Sequence, residues 1–505
     1  MNFSFKKIMA AVCAVCLLAG TAGCRGGGND KTTGTTKGTA LESMAPADNT
    51  WRDAVPSGDN TAGTDVYETQ TQVSDKTPAG ITSTQTTTFG SSGNDMFERI
   101  IATSDGGFAA IGFFGAADGD CKDADSGWAG TKSVLVKYDK DSKIQWKEFL
   151  GGDNAGVIFN GLAELSDQSI IVVGNTNSSN LGVKADSALD ALMVKYSAQG
   201  KREWTKLLGG SLNDDLYSVA ATRDGGYIAG GYTESSNGDF AGLKENSRKA
   251  ILIKFDSTGA PRWKRSMAGT MYNCFENIAV TGSGDIFTVC ITVSSDGDFK
   301  GIAGRGDKDT VVLKYDKNGT FKWTKTFSGS GIDELSAITC SPDGGCVIAG
   351  KYAIYAATDG SFEPYHNAGS YDAFLVKYNS DGTIGWAKPF AGFLNDEITG
   401  IAAVNGGYAA VGTSESNNRD FSGLGNKGKR DGFVLLLDEL GNTKSTLSLS
   451  GARDDVPRAV SSTLDGSGIF VAGGTQSSDN TFQGLEPAAE NNTFICFTSA
   501  LSITY

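Results

Sequence analysis

The chain has 505 residues, with 58 acidic and 44 basic side chains and a formal net charge of −14. Binding to nucleic acid requires many lysines and arginines to neutralise phosphates, so this acidic chain is not expected to have a nucleic-acid partner. Glycine (68 residues) far outnumbers proline (9). Short runs of Val, Ile, Thr and aromatic residues alternate with Gly/Asp/Asn/Ser clusters, which predicts an all-β fold of short strands joined by turns.

The first residues have the pattern of an export signal. Lys6 and Lys7 precede an apolar run, residues 8–18, that is too short to anchor the chain across a bilayer. The sequence Thr-Ala-Gly-Cys at 21–24 resembles a bacterial lipobox, with threonine in place of the usual leucine, and this resemblance implies lipidation of Cys24. We predict a lipoprotein signal peptide over residues 1–23, with ordinary secretion as the alternative. The mature protein is then expected on the bacterial cell membrane, lipid-anchored, facing the exterior or the periplasm.

Residues 24–80 are rich in Thr, Gly and Asp. Their apolar content is too low to offset the entropy lost on folding, which predicts a flexible tether between the lipid and the folded part. The cysteines beyond Cys24 show no regular spacing and therefore no disulfide framework. Cys340 and Cys346 flank a hairpin turn, where two free thiols are favoured over a bridge.

From residue 81 to 505 the chain repeats with a period near 60 residues. Each repeat contains four strand-like runs, and the runs are apolar on both faces, as expected for strands buried on both sides. Stacking four-stranded sheets radially achieves such burial, so the repeat predicts a seven-bladed β-propeller with four antiparallel strands per blade. The repeat is marked by tryptophans at one register position: Trp146, Trp204, Trp263, Trp323 and Trp386.

The two ends of the repeat region predict how the ring closes. The last repeat stops at Tyr505 before its fourth strand, whereas residues 84–89 match a fourth strand with no repeat in front of it. We predict that this N-terminal strand completes the last blade, which would remove two open sheet edges.

The repeat resembles that of bacterial β-propeller-repeat surface lipoproteins, which belong broadly to the quinoprotein-dehydrogenase-like propeller superfamily. The resemblance rests on residues 224–227 (DGGY), 372–379 (DAFLVKYN) and 382–392, with copies throughout. It implies that the tryptophans pack across joints between blades. The sixth repeat departs from it at Leu436 and Ser445, and the second at Val157. Quinone-dependent relatives carry two adjacent cysteines, which this chain lacks, so no quinone cofactor is expected.

In a propeller, the first strand of each blade lines the central channel. The loop leading into each blade and the long loop between its second and third strands share one face. Five of the leading loops have an aspartate at one register position, and the fourth has Asn273: Asp95, Asp214, Asp333, Asp396 and Asp455. These carboxylates either form an acidic ring around the channel mouth or accept hydrogen bonds from backbone amides of their own turns, and the second interpretation is favoured because they follow the repeat.

Several long loops contain Asx-Gly-Asp, at residues 118–120, 237–239 and 296–298. Alternating oxygen ligands can bind calcium, but no loop has the full spacing with a closing glutamate, so turn formation is favoured and no cofactor is expected. Lysines recur in the third strands, and we expect their stems to pack between blades while the ammonium groups reach solvent or an acid. They are Lys137, Lys195, Lys254, Lys314 and Lys377.

The long loops of the first and fifth repeats depart most from the pattern and add aromatic residues. Amphipathic rings in loops can bind sugars or proteins, or can simply close a longer loop onto its blade. The ligand-binding candidates are Phe113, Phe114, Trp128, Tyr355, Phe362, Tyr365 and His366. No catalytic motif is recognisable, so no catalytic residue is predicted.

Together these features predict a monomeric, non-enzymatic cell-surface lipoprotein. Its propeller would bind extracellular polysaccharide or a protein partner. A glycan-directed enzyme with acids at the channel mouth and an envelope assembly scaffold are the alternatives, because propellers host many functions.

Overall fold

The structure is a computed structural model that describes residues 83–152, 156–181, 189–243, 248–302, 308–329, 331–353, 361, 370–425, 429–483 and 492–499. Cys24 and the predicted signal peptide and tether lie outside these residues. So do Tyr355, Phe362, Tyr365 and His366.

The described residues form 28 strands. In each sheet the first strand lies nearest the central channel, and the second strand pairs with its outer side. The first strands are β2 (Met96–Ala102), β6 (Val157–Glu164), β10 (Asp214–Ala221), β14 (Asn273–Val280), β18 (Asp333–Cys340), β22 (Asp396–Val404) and β26 (Asp455–Ser462). The second strands are β3 (Phe108–Phe114), β7 (Ile170–Thr176), β11 (Tyr227–Thr233), β15 (Ile286–Thr292), β19 (Cys346–Tyr352), β23 (Gly407–Ser414) and β27 (Ile469–Thr475).

The outer half of each sheet consists of a third and a fourth strand. The third strands are β4 (Ala129–Tyr138), β8 (Asp190–Tyr196), β12 (Lys249–Phe255), β16 (Asp309–Tyr315), β20 (Asp372–Tyr378), β24 (Asp431–Asp438) and β28 (Asn492–Ser499). The fourth strands are β5 (Ile144–Gly152), β9 (Arg202–Leu208), β13 (Pro261–Ala268), β17 (Phe321–Thr326), β21 (Ile384–Phe390), β25 (Thr443–Leu449) and, at the chain's other end, β1 (Ser83–Phe89).

The strands pair into seven four-stranded antiparallel sheets, six of them in chain order and one in the order β1-β28-β27-β26. Each first strand contacts the first strands of the two neighbouring sheets, and β26 contacts β2. The first strands therefore surround one axis. The predicted all-β propeller with four antiparallel strands in each blade is confirmed, and we number the blades 1 to 7 from β2 onwards.

The ring closes by pairing the two ends of the repeat region. Strand β1 runs antiparallel to β28 over its whole length, from Ser83 opposite Ser499 to Phe89 opposite Thr493. Phe89 is buried and stacks on Phe97 of blade 1, with ring centroids 5.6 Å apart. The predicted closure by an N-terminal strand is confirmed.

The hydrophobic core is divided among the joints between blades. The described residues form seven apolar clusters, each between two neighbouring sheets. Several second and third strands, such as β11 and β12, are buried along their whole length. This explains why the runs are apolar on both faces, since burying them contributes roughly 25 cal/mol for each Å² of apolar surface.

The repeated tryptophans fasten each joint from its outer side. The indole N–H of Trp146 donates to the carbonyl oxygen of Ala198 in the next blade at 3.0 Å, and Trp386 donates to Glu439 in the same way at 2.9 Å. Each indole ring lies on a turn glycine of the next blade that has positive φ, where a Cβ would meet the ring: Gly200, Gly259, Gly319, Gly382 and Gly441. The inter-blade role that the family resemblance implied for the tryptophans agrees with this geometry.

The third-strand lysines reach acids in the turn between the first and second strands of their own blade. Lys137 lies 2.7 Å from Asp105, and the same ion pair occurs for Lys195–Asp167, Lys254–Asp224, Lys314–Asp285 and Lys377–Asp343. In blade 6 both members change together, because Leu436 replaces the lysine and the turn contains Asn405. These lysines are therefore structural and form no basic stripe.

The described part of the chain has free cysteine thiols and no long apolar helix. Cys340 and Cys346 face each other across the hairpin of β18 and β19 but are free thiols. Within the described residues, no helix has the length and apolar character needed to cross a membrane.

The closure of the ring gives a testable prediction. Deleting residues 83–89 should lower the melting temperature and cause aggregation, because it exposes the edge of β28 and uncovers Phe97. Deleting residues 25–75, outside the pairing, is the control and should leave melting unchanged. Equal melting temperatures and solubility for the two deletions, measured by calorimetry and light scattering, would contradict a stabilising role for β1.

Candidate functional site at the loop face of the channel

The leading loops and long loops lie together on one side of the ring, which we call the loop face. They are joined by a repeated hydrogen-bonded latch. In blade 3, the Asn237 side chain accepts from the Ser211 backbone N–H at 2.9 Å and Asp239 accepts from Gly209 at 3.0 Å. Equivalent latches occur in blades 1, 4 and 6.

These latches account for the Asx-Gly-Asp segments. Each of these three segments forms a short 3₁₀ turn, at Gly119–Cys121, Gly238–Phe240 or Gly297–Phe299. Similar turns without the Asx-Gly-Asp sequence occur at Ser179–Leu181, Arg419–Phe421 and Asn480–Phe482. The turn inserts an apolar residue, such as Phe240, into the core. Its carboxylates accept backbone hydrogen bonds, and no group of three or more His, Cys, Asp or Glu side chains suited to a metal occurs in the described part of the chain.

The leading-loop aspartates are buried inside the joints. Asp95 accepts a hydrogen bond from the Ser91 backbone N–H at 2.6 Å, Asp214 from Gly210 at 2.9 Å and Asp333 from Gly329 at 2.6 Å. Asp396 accepts from the hydroxyls of Ser414 and Ser416 at 2.5 and 3.0 Å. The favoured interpretation, hydrogen bonding to local amides, agrees with this geometry, and these residues do not form an acidic ring at the channel mouth.

Burial alters the protonation of these carboxyls. Burial raises the pKa of Asp214 to about 6 and the pKa of Asp396 and of Asp455 to about 7, against the opposing effect of the hydrogen bonds they accept. A second aspartate across the joint adds to the rise, for example Asp372 beside Asp396. Blade 4 has Asn273 at this position, which remains hydrogen-bonded without carrying a charge.

A β-bulge interrupts every first strand at the same register position. The pairing between the first and second strands shifts by one residue there in each of the seven blades. Bulges redirect side chains and are common beside functional sites. The type of the extra residue changes from blade to blade, and only glutamate occurs twice. In blade order the extra residues are Glu98, Asn160, Tyr217, Glu276, Ser336, Thr399 and Arg458.

The bulges border a cavity on the ring axis. Its volume is about 400 Å³, and all seven first strands contribute to its lining. Arg99, directly after the bulge of blade 1, and Arg458, at the bulge of blade 7, supply its charged lining residues. Hydroxyls of Ser336 and Thr399 and the phenol ring of Tyr217 also line it, between apolar walls.

The charges around the channel differ in how well they are compensated. Lys351 of blade 5 lies 3.1 Å from Glu334 and 3.0 Å from Glu397 of blade 6, and Lys308 lies 2.9 Å from Glu334. Burial alone would raise the pKa of Glu334, but Lys351 and Lys308 together lower it to about 2. Asp215 is held by the amides of Asn160 and Asn175, and burial raises its pKa to about 8.

Three charged groups around the channel are less well compensated, and among them only Arg458 has an ion pair in the described residues, with Glu98 at 3.9 Å. Glu276 makes no hydrogen bond or ion pair within the described residues, and burial raises its pKa to about 7 although Lys308 and Arg99 oppose the rise. The Nε atom of Arg458 is buried without a hydrogen-bond partner in the same part of the chain. Burial lowers the pKa of Arg99, and the negative charges of Glu98 and Glu276 oppose this effect.

The aromatic candidates of blade 1 do not form an exposed platform. Phe114 is 3% exposed and meets Phe149 edge to face, with centroids 5.2 Å apart. Trp128 packs against this core, and its ring lies against Gly151, where a Cβ would come within 2.4 Å of ring atoms. Phe113 is half-buried in β3. The alternative that these rings close a longer loop onto its blade fits their positions.

The exposed apolar side chains of the loop face lie elsewhere, on leading loops. Leu212, Met271 and Leu394 occupy one register position in blades 3, 4 and 6 and are 49%, 56% and 52% exposed. Phe393 beside them is 55% exposed, and the guanidinium of Arg419 lies 4.8 Å from its ring centroid.

Sequence reasoning missed both the bulge residues and these apolar loop tips. In the aligned repeats, these positions could be found because the residue type changes at a fixed register position, as from Asn160 to Arg458. The sequence analysis relied instead on positions where the residue type stays constant. A second missed pattern is Thr/Ser-x-Ser after the second strands, whose hydroxyls donate to the buried aspartates, as Thr475 and Ser477 do to Asp455.

The chain has a distant curated relative. No family model matches the chain. The regulatory protein FlaEY of Caulobacter vibrioides is 24% identical over 335 residues, which are 60% of this chain and 34% of that protein. The chain therefore spans about a third of the length of this curated relative.

Three solved structures show a distant likeness. Hydrazine synthase of Kuenenia stuttgartiensis has 12% identity and a TM-score of 0.44 over 74% of this chain and 92% of that one. The RRP9 WD40 repeats have 10% identity and a TM-score of 0.45 over 84% and 99%, and YCF48 bound to D1 peptide has 10% and 0.41 over 85% and 98%. Since all three TM-scores are below 0.5, the fold assignment rests on the strand pairing of this chain.

The buried aspartates predict how stability depends on pH. The folded protein holds a proton on Asp396 up to about pH 7, whereas the unfolded chain releases it near pH 3.8, so raising the pH through this interval lowers the free energy of unfolding. Asp396→Asn should reduce this loss while keeping hydrogen bonds, as Asn273 does in blade 4. Asp396→Ala should cost about 1–3 kcal/mol because it leaves buried donors unpaired.

Melting measured from pH 4.5 to 8 for the three proteins tests this. The reciprocal change Asn273→Asp should steepen the decline. A wild-type melting temperature that rises between pH 5 and 8, with Asp396→Asn unchanged in slope, would contradict the assigned protonation.

Proposed function

We propose that this propeller is a non-catalytic binding module whose loop face docks a protein partner. The carrying observation is the set of exposed apolar side chains on its leading loops, Leu212, Met271, Phe393 and Leu394. They project from loops latched to a rigid ring, so that little conformational entropy is lost when they are covered.

The nature of these side chains favours a protein over a polysaccharide. Sugar-binding sites present flat aromatic rings, and Phe114 and Trp128 of blade 1 are instead packed against the core. Methionine and phenylalanine are enriched in protein interfaces, where their apolar surface is covered by a complementary partner. The net charge of −14 opposes strongly anionic polymers.

The state of the channel carboxyls favours a non-catalytic role. Glycoside hydrolysis ordinarily needs two carboxyl groups across the scissile bond. Glu334 and Glu397 are paired with Lys351, and Asp215 is held by two asparagine amides. No carboxyl group is among the described residues that line the channel cavity, whose charged members are Arg99 and Arg458.

The proposed location is the membrane surface, through a lipid on Cys24. This rests on the charged, apolar and small-residue segments that precede this cysteine in the sequence. The segment of residues 24–80 would hold the propeller away from the lipid and leave its loop face accessible.

A docking role predicts that polar substitutions on the loop face remove partner binding. Phe393→Ser with Leu394→Ser, and Met271→Ser, should abolish a cross-link between the protein and its envelope partner without lowering the melting temperature by more than a few degrees. Exposed side chains lose little packing when they are replaced. The measurement is cross-linking in cells, followed by mass spectrometry of co-purified proteins.

Leu464→Ser is the matched control, because Leu464 is 70% exposed but lies in a turn between first and second strands, on the opposite face. The control should retain every cross-link. Loss of the same cross-link in the control, or its retention in the loop-face variants, would overturn the assignment of the loop face.

Lipidation predicts that Cys24→Ser releases the protein from membranes. The wild-type protein should partition with the membrane fraction and carry a mass increase at its N-terminus. A Cys24→Ser protein that stays with membranes after removal of residues 1–23 would contradict the lipid anchor.

A further inference from the structure

Two guanidinium groups converge on the channel cavity from neighbouring blades. Arg99 follows the bulge of β2, and Arg458 occupies the bulge of β26. These two strands contact each other in the ring, and both side chains line the cavity of about 400 Å³. No other blade has an arginine or lysine at either register position. The pair is therefore a local break in the repeat.

The protein itself uses few of the donors of these two groups. A guanidinium has five N–H donors. Arg99 donates from Nη1 to the Glu98 carbonyl oxygen at 2.9 Å, its one hydrogen bond within the described residues. The nearest carboxylate oxygen to Arg458 belongs to Glu98 and is 3.9 Å from Nε, which is longer than a hydrogen bond.

Leaving a partly buried cation without matched acceptors is unfavourable. The interblade ion network shows how this chain satisfies a cation where the need is structural, since Lys351 contacts two glutamates. Arg458 has one long ion pair, with Glu98 at 3.9 Å, and Arg99 has no ion pair within the described residues. An oxyanion in the cavity would supply the missing acceptors, with bidentate geometry available to each guanidinium.

We propose that Arg99 and Arg458 bind the oxyanionic group, a carboxylate or phosphate, of a ligand that enters the central channel. The cavity volume is in the range of small-ligand sites, and the hydroxyl of Ser336 adds a polar contact between apolar walls. This inference deepens the proposed function and rests on it in one respect: the docked partner supplies the oxyanion as an acidic side chain or chain terminus.

Glu276 modulates this site from blade 4. Glu276 occupies the equivalent bulge of β14, and in its ionised form it attracts Arg99 electrostatically, as Glu98 also does. Its negative charge competes with the ligand for the guanidinium groups. Replacing Glu276 with glutamine removes that charge and should therefore strengthen binding of an anion.

The test uses the full-length chain in detergent and three simple probes at equal ionic strength: sodium acetate, sodium phosphate and sodium chloride. Binding to the native state raises the melting temperature in proportion to the logarithm of probe concentration over Kd. Acetate or phosphate should raise it more than chloride does. Arg99→Gln and Arg458→Gln should each weaken the response about tenfold in apparent Kd, the effect of losing a charge-assisted hydrogen bond.

Arg262→Gln is the matched control, because Arg262 is 64% exposed, lies on an outer strand and pairs with Asp256. It should respond to the probes as the wild type does, and Glu276→Gln should respond more strongly. If Arg99→Gln does not fold, the anion-induced rise in melting temperature is compared for Arg458→Gln and Glu276→Gln, which should be smaller and larger than that of the wild type. No response beyond that to chloride, or an equal response in the two channel variants and the control, would overturn the site.

The two proposals fail in different ways. Loss of cross-links in the Phe393 and Leu394 variants with no anion response would retain partner docking and reject the channel site. An anion response with cross-links unaffected by the loop-face substitutions would retain the site and assign it to a free small anion. Cross-links lost in Arg458→Gln as well would identify the partner as the source of the oxyanion.

Discussion

The structure depends on burying both faces of every four-stranded sheet. A sheet whose second and third strands are apolar on both sides needs a neighbour on each side, and a linear stack would always leave two faces uncovered. A closed ring satisfies every blade, provided that the last sheet is as complete as the others. The pairing of Ser83–Phe89 with Asn492–Ser499 meets this condition by joining the two ends of the repeat region. It also gives the last sheet the same four strands as the others, with β28 paired on both sides.

Most of the repeated polar residues serve the joints that this burial creates. Indole rings cover turn glycines of the next blade, lysines neutralise turn aspartates, and leading-loop aspartates hold their own loops from inside the protein. Because burial raises the pKa of Asp215, Asp396 and Asp455 to about 7 or 8, the formal charge of −14 overstates the negative charge near neutral pH.

Features specific to this chain arise where the residue type departs from the repeat while the backbone geometry stays the same. The bulge has the same register in all seven first strands, yet its side chain is Tyr217 in one blade, Glu276 in another and Arg458 in a third. A constant backbone kink presents a different group from each blade toward one axis. The leading loops behave similarly, since equivalent latches present Leu212, Met271 or Leu394 on the loop face. Changing one side chain at such a position alters recognition and leaves the joints intact.

The sequence by itself determined the strand count of each repeat, the antiparallel order and the closing strand. These follow from local turn chemistry, period and apolar patterning, as in the Asp-Gly-Gly turn before Tyr227. It also favoured hydrogen bonds from nearby backbone amides to Asp214 and its equivalents, which the structure has, although most of these aspartates begin a strand. For Lys254 it left solvent or an acid open, and the structure shows the acid Asp224. Only the tertiary structure decided which side chains face the axis, because a bulge shifts the alternation of a strand by one residue and cannot be read from spacing. Burial likewise separated Phe114 and Trp128, which the core covers, from Phe393 and Leu394, which it leaves exposed. Arg99 and Arg458 are 359 residues apart in the chain and become neighbours through closure of the ring.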